Sequence, residues 1–297
     1  MRQIEDRYIS LLTDFGFKRI FGTALNKELL ICFLNSVFQG REVFKNVFYL
    51  NSEHLGQEHT ERNEIFDLFC ENEKGEKFIM EMQNAYMEFF EECSLFYSVF
   101  PIREQSIKGL NRDFKLCKVY IVSLLDCSVI KFSPHQERVL PVVKLCDIDT
   151  HNVFSVKSES VYVDVAGFDK DEEQLVTLYD KWLYVLKNLS TLTNRPKALR
   201  DKVFDRLFEE AEIARFSPRE LREYEDSCKA YRDLKNSLDT ALHQGREKGR
   251  EKGLAEGRAE GLEEVRKAVA QKMKSMGMTV ESICQVTDLT AEQILSL

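Results

Sequence analysis

The apolar positions of the chain change period twice. Up to about residue 40 they recur at helical spacing. Through the middle they run together or alternate, and from about 171 they are helical again. Residues 14–22, DFGFKRIFG, predict a short helix capped by Asp14, with Phe17, Ile20 and Phe21 as its apolar side. NKELLICFLNSVF (26–38) predicts a second helix, with Asn26 as cap and Gly40 beyond its end. Its apolar residues nearly encircle it, which requires burial. Residues 43–51 read as a strand, and EIFDLFCENEKGEKFIMEMQ (64–83) as two strands about a turn. A helix over 84–107 contains Pro101, which predicts a kink or a split. LCKVYIVSLLD (116–126) reads as a buried strand. Residues 138–146 and 152–165 read as further strands, the second alternating through SVYVDV. Helices follow at 171–190, 197–214 and 218–242.

Composition breaks at 245. GREKGREKGLAEGRAEGL places glycine at 245, 249, 253, 257 and 261, five of the thirteen in the chain. A further helix is expected over about 262–276, then two short segments, TVESICQVT and TAEQILSL. In the second, Thr290 and Gln293 fit a capping box. The expected fold class is α/β, a mixed sheet flanked by helices with an α-helical C-terminal extension. The expected divisions are 1–170, a helical extension over 171–243, a Gly-repeat charged helix or tether over 244–276, and a two-helix terminus over 277–297.

At 43% hydrophobic and 31% charged, the chain can bury a core. No apolar run approaches the ~18 residues of a membrane span, so a soluble, cytoplasmic protein without membrane contact is expected. The eight cysteines form no CxxC pair, and no Cys/His cluster has zinc spacing. A net charge of −8 argues against broad, charge-driven binding to nucleic acid. It leaves room for a local site whose field is set by a bound cation.

The hairpin carries the chemistry. A three-residue loop, Glu73-Lys74-Gly75, with glycine last is a common closure: a type I turn, then a left-handed residue. Asn72 then pairs with Glu76, and counting back sets Asp67 opposite Glu81. Alternation adds Gln83 to the same face. Directly opposed carboxylates destabilise a ladder, so a shared proton or a divalent cation is needed to compensate. Oxygen ligands with room for water suit Mg²⁺ or Mn²⁺. The competing reading is a solvated hairpin face with ordinary acids, which accounts for Glu71, Glu73 and Glu76.

A D-x13-E-x-Q pattern across a hairpin, with a helix before and after, resembles the PD-(D/E)XK nuclease superfamily. More narrowly, the chain resembles the Rpn family of recombination-promoting nucleases, also described as transposase-like. TDFGFKRIFG, NKELLICFLNSVF, IFDLFCENEKGEKFIMEMQ, FYSVFPIREQSIKG and the glycine-repeat tail carry the likeness, while residues 130–240 contribute little. The resemblance implies a PD-(D/E)XK restriction-endonuclease-like fold and a metal-dependent DNA endonuclease linked to recombination or mobile elements. It implies Asp67 and Glu81 as ligands of Mg²⁺ or Mn²⁺, with the Met82 backbone carbonyl completing the shell. Gln83 stands where the superfamily's usual motif has lysine. Asp14 and Lys18 are implied contributors, as a site acid and a phosphate contact. Cys93 and Asn63 stand where close relatives often carry arginine and lysine, leaving Arg62 and Arg103 as nearby cations. These departures motivate an alternative, a catalytically degenerate relative that binds DNA or a partner and oligomerises through its tail. A two-carboxylate glycosidase fits less well, because no aromatic sugar platform is evident.

Glycine at every fourth position drifts by ~40° per step on a helix. Five glycines cost on the order of 5 kcal/mol against alanine, and an ion pair such as Lys252–Glu256 returns only ~0.3–0.5. Residues 245–262 are therefore expected either to self-associate into a homo-oligomer or to act as a charged tether. The final pair of short helices has the outline of a helix-turn-helix, with a second helix of only about two turns.

Overall fold

The computed structural model describes residues 6–50, 66–85, 87–106, 115–127 and 141–297. They divide into two units, the first ending at Lys235. The first is built on a six-stranded sheet. Its spatial order is β1 (Val47–Tyr49), β2 (Leu68–Asn72), β3 (Lys77–Gln83), β4 (Val119–Leu125), β6 (Val153–Asp164) and β5 (Val142–Cys146). β3, β4 and β6 run parallel, while β1, β2 and β5 are antiparallel to their neighbours. The parallel β3–β4 step is bridged by α3 (Phe90–Ser106), the crossover that parallel strands require.

The period-2 pattern of the strands decides the layers. Leu68, Cys70, Phe78, Met80, Tyr120, Val122 and Leu124 face α1 (Asp14–Phe21), α2 (Lys27–Phe38), α4 (Leu178–Asn188) and α5 (Lys202–Ala211) in one core around Trp182. The opposite face buries Phe69 and Ile79 with Phe66 against Tyr97 and Phe100 of α3. The mixed sheet between helical layers is the α/β arrangement expected. The helical extension expected after residue 170 packs into this same core through α4 and α5.

Several local expectations are corrected. Thr13, not Asp14, caps α1: its hydroxyl accepts the Gly16 N–H at 3.1 Å, and Asp14 is the first helical residue. Asn26 precedes α2 but makes no capping bond with its side chain, which instead joins the Arg19 carbonyl and the Arg206 guanidinium. The strand expected over 43–51 shortens to Val47–Tyr49. α3 begins at Phe90 rather than 84, because Asn84 is held in an extended exit from β3 by its bond to the Leu12 carbonyl. It also runs unbroken through Pro101, whose carbonyl accepts from the Gln105 side chain at 3.1 Å.

The composition break at 245 is not a structural one. A single helix, α6 (Pro218–Ser275), carries the chain through all five repeat glycines. Glycine weakens a helix without forbidding it, and pairs such as Lys252–Glu256 (3.6 Å) and Lys267–Glu263 (2.6 Å) lace the exposed face. In the second unit, the end of α6 meets α7 (Val280–Thr287) and α8 (Ala291–Ser296) around Ala270, Ile283, Leu289 and Ile294. The expected capping box is formed: Thr290 N–H donates to Gln293 Oε1 (2.9 Å), and Gln293 N–H to Thr290 Oγ1 (3.3 Å). Among the described residues, no single helix is long and apolar enough to cross a membrane.

Candidate active site

The hairpin turn sets the geometry of the site. Asn72 N–H donates to the Glu76 carbonyl (3.0 Å) and Gly75 N–H to the Asn72 carbonyl (3.1 Å). Gly75 sits at φ +76°, where only glycine is unstrained. The Asn72 side chain locks the loop further, accepting from Lys74 N–H and Glu76 N–H. The strands then pair Glu71 with Lys77 and Leu68 with Met80, the register expected. One further regular step would set Asp67 opposite Glu81.

Asp67, however, does not continue the ladder. It occupies a bend before β2. Phe66 and Phe69, three residues apart, pack together on the α3 face, which regular alternation forbids. The bend turns the Asp67 carboxylate onto the backbone of β3, where Oδ2 accepts the Met82 N–H at 2.7 Å. Gln83 C=O bonds Asp126 N–H (2.9 Å) on the β4 side. The N–H and C=O of one strand residue point the same way, so the Met82 carbonyl faces the Asp67 side. Alternation puts Glu81 and Gln83 with Ile79 on the α3 face. Glu81 Oε1 is buried.

Burial pushes the Asp67 carboxyl above its ordinary range. Asp14 adds to this, while the Met82 N–H and Lys18 oppose it. Asp14 and Lys18 are thus close enough to be felt at Asp67, and they pair with each other at 2.7 Å. The sequence motif explains why they are there. A side chain at Gly16 would run into the Ser10 carbonyl, so only glycine lets the chain fold back before α1. Asn84 Nδ2 then ties Leu12 to the end of β3 at 2.9 Å.

One expected contributor, Arg103, is not gathered. Arg62 lies outside the described residues, as does Asn63. Arg103 is exposed near the far end of α3. The start of α3 meets the end of β4 through Phe90 and Leu125, but Gln105 bonds Cys117 N–H (2.7 Å), before β4 begins. Arg103 is therefore carried toward the opposite end of the sheet from Gln83. Cys93 lies one turn into α3, at the site end, where an arginine would add charge. The Gln83 amide is engaged locally, donating to the Ala85 carbonyl at 2.6 Å.

The structure adds residues that no pattern marked. Ser123, buried at 2% exposure, pairs with Glu81, and its neighbour Tyr162 shares a 3.2 Å hydrogen bond with Ser94. A lone serine inside VYIVSLL was the signal available for Ser123. At the end of β4, the buried Asp126 carboxylate accepts from Tyr231 OH and Lys235 Nζ, both at 2.7 Å. Burial pushes the Tyr231 phenol up to about 12, and Asp126 adds to it. Burial disfavours the Lys235 ammonium, but Asp126 outweighs it and raises the pKa. α6 also donates Tyr224 and Ser227, which accept the Ser10 and Phe15 N–H groups (2.9 and 3.1 Å). One face of α6 thus braces both the start of α1 and the end of β4.

Asp67, Glu81 and the Met82 carbonyl would offer a metal only hard oxygen, which suits Mg²⁺ or Mn²⁺. Burial of Asp67 gives that charge a reason to seek a cation. Among the described residues, no group of three or more His, Cys, Asp or Glu gathers as a metal cluster. A family model described as PD-(D/E)XK nuclease family transposase matches residues 11–241. No curated protein and no solved structure matches.

Proposed function

The chain belongs to the PD-(D/E)XK nuclease family transposases, and from that premise we propose a divalent-metal-dependent endonuclease that hydrolyses DNA phosphodiesters. Family membership carries the nuclease-type function. The observation supporting the finer reading is the Asp67 carboxylate, bent out of its strand and fixed by the Met82 N–H at 2.7 Å, onto the strand that carries Glu81. In this reading Asp67, Glu81 and the Met82 carbonyl hold Mg²⁺ or Mn²⁺. When bound, the cation lowers the pKa of water and offsets charge on the phosphoryl oxygens.

The chain's own residues supply position. The Met82 N–H fixes one Asp67 oxygen and leaves Oδ1 for a ligand. Gln83, lacking a basic atom, orients water or a phosphate oxygen through its amide rather than removing a proton. Lys18 lies near enough to Asp67 to reduce the repulsion an incoming phosphate meets. Purified protein should nick plasmid with Mg²⁺ or Mn²⁺ and stop with EDTA. Asp67→Ala cutting as fast as wild type refutes the assignment.

A second reading is a binding protein without cleavage that associates through α6. It is favoured by the glycine face of that helix, where an added Cβ at Gly245, Gly249, Gly253, Gly257 or Gly261 would meet nothing within 4 Å. It predicts DNA binding without metal-dependent nicking, and an assembly lost when Gly249, Gly253 and Gly257 become leucine.

A further inference from the structure

The residues of the candidate site ride on separate elements, and one amide side chain joins them. Glu81 and Gln83 are carried by β3, Asp14 and Lys18 by α1. Asp67 is fastened to β3 through the Met82 N–H at 2.7 Å and feels the charges of Asp14 and Lys18. Two residues beyond Met82, Asn84 donates from Nδ2 to the Leu12 carbonyl at 2.9 Å. The turn that receives this bond is stiff. Ser10 Oγ accepts the Leu12 N–H (3.3 Å), Thr13 Oγ1 donates to the Ser10 carbonyl (2.8 Å), and Leu12 and Thr13 are buried. Holding the Leu12 carbonyl therefore holds Asp14, two residues on, and with it Lys18 through their 2.7 Å pair.

Stability does not explain an asparagine at 84. Its Oδ1 is buried and meets no hydrogen-bond donor among the described residues, and an unsatisfied buried acceptor weakens a fold. Turning the amide over brings no relief, since Oδ1 would then face the Leu12 carbonyl, acceptor against acceptor. A residue that breaks a local rule without a stabilising return is characteristic of functional sites. Tyr224 and Ser227 already hold the same turn from α6. The Asn84 bond adds to this the registration of the turn against β3.

Given the nuclease reading, on which this rests, we infer that Asn84 is a positioning residue for cleavage. It sets Asp14 and Lys18, at the start of α1, against Asp67, Glu81 and Gln83. It acts through the Leu12 carbonyl, and small displacements of groups so placed are costly to a reaction that depends on orientation.

Asn84→Ala and Asn84→Leu, which fills the same space, both lose the donor and test it in the full-length protein. At saturating Mn²⁺ each should lower kcat for plasmid nicking about 10–100-fold and leave KM for DNA within about threefold. In an Asp14→Ala/Lys18→Ala background, Asn84→Ala should cost less than about twofold more, because the groups it places are gone. Without metal, hydrogen exchange should show the amides of α1 losing about tenfold in protection in Asn84→Ala, with those of β3 unchanged. The rise in melting temperature given by Mn²⁺ should match wild type, since Asp67 and Glu81 remain. A wild type that never nicks with metal sinks the nuclease reading. A wild type that nicks, with an Asn84→Ala variant of equal kcat, sinks this inference alone. So do unchanged protection over α1, an equal loss with and without Asp14 and Lys18, or a Mn²⁺ shift lost in Asn84→Ala.

Discussion

Replacing Asp67 by asparagine separates the two things its carboxylate does. The side chain accepts the Met82 N–H at 2.7 Å and carries a charge that burial opposes. Asparagine keeps an acceptor and removes the charge, whereas alanine removes both. The sign follows from linkage. The folded pKa is raised, so between the unfolded and folded values the native state holds more protons, and stability falls as pH rises through that window. Near neutral pH without divalent cation, Asp67→Asn should melt at or above wild type. Asp67→Ala should lose ~1–3 kcal/mol with the hydrogen bond. In a unit of this size that is roughly 2–10 °C. A cation binding Asp67 at 100 times its Kd adds ~2.7 kcal/mol, on the order of 5–10 °C. Scanning calorimetry with and without Mn²⁺, against EDTA, reads all of this without relying on cleavage. If Asp67→Asn is stabilised by Mn²⁺ as strongly as wild type, the cation binds elsewhere. If it melts below Asp67→Ala, the burial argument is wrong.

Two further substitutions probe the scaffold. Gly75→Ala forces a side chain into φ +76° with the Cys117 sulfur 3.4 Å away, and should cost about 1 kcal/mol or more by denaturant titration. Lys235→Met leaves the buried Asp126 carboxylate with Tyr231. Since Lys235 is partly exposed, the loss should be about 1 kcal/mol. Lys235→Arg should recover most of it, and equal melting of Lys235→Met and wild type would show the pair to be neutral.

The hairpin register was legible because it is local: five residues from Asn72 to Glu76 fix the turn, and the turn fixes every pair behind it. The bend at Asp67 was not legible. It depends on Phe66 abandoning alternation to reach Tyr97 and Phe100, a contact across 31 residues or more. Thr13 and Asp14 are both good caps by residue type, and only the fold-back at Gly16 decides between them. The break at 245 left helix and tether both open because composition reports propensity, and propensity alone does not end a helix whose charged pairs continue. Arg103 was misplaced for a reason of direction: α3 runs away from the site as it returns to the start of β4. The Asp126–Tyr231–Lys235 group joins positions 105 residues apart, and no local pattern announces it.

The brace from α6 to the start of α1 has a consequence for synthesis. Ser10 waits for Tyr224, 214 residues later, and Ile9 for the Ala211 carbonyl. At ~5–20 residues per second, a ribosome needs roughly 10–40 s to cover that gap. Over that interval Asp14, Asp67 and Glu81 have all been made, yet the segment that orders the first of them has not emerged. A nascent or prematurely terminated chain ending before Tyr224 therefore carries the acidic residues without the bonds that order α1, which would keep the proposed DNA-cutting activity silent until the core is complete.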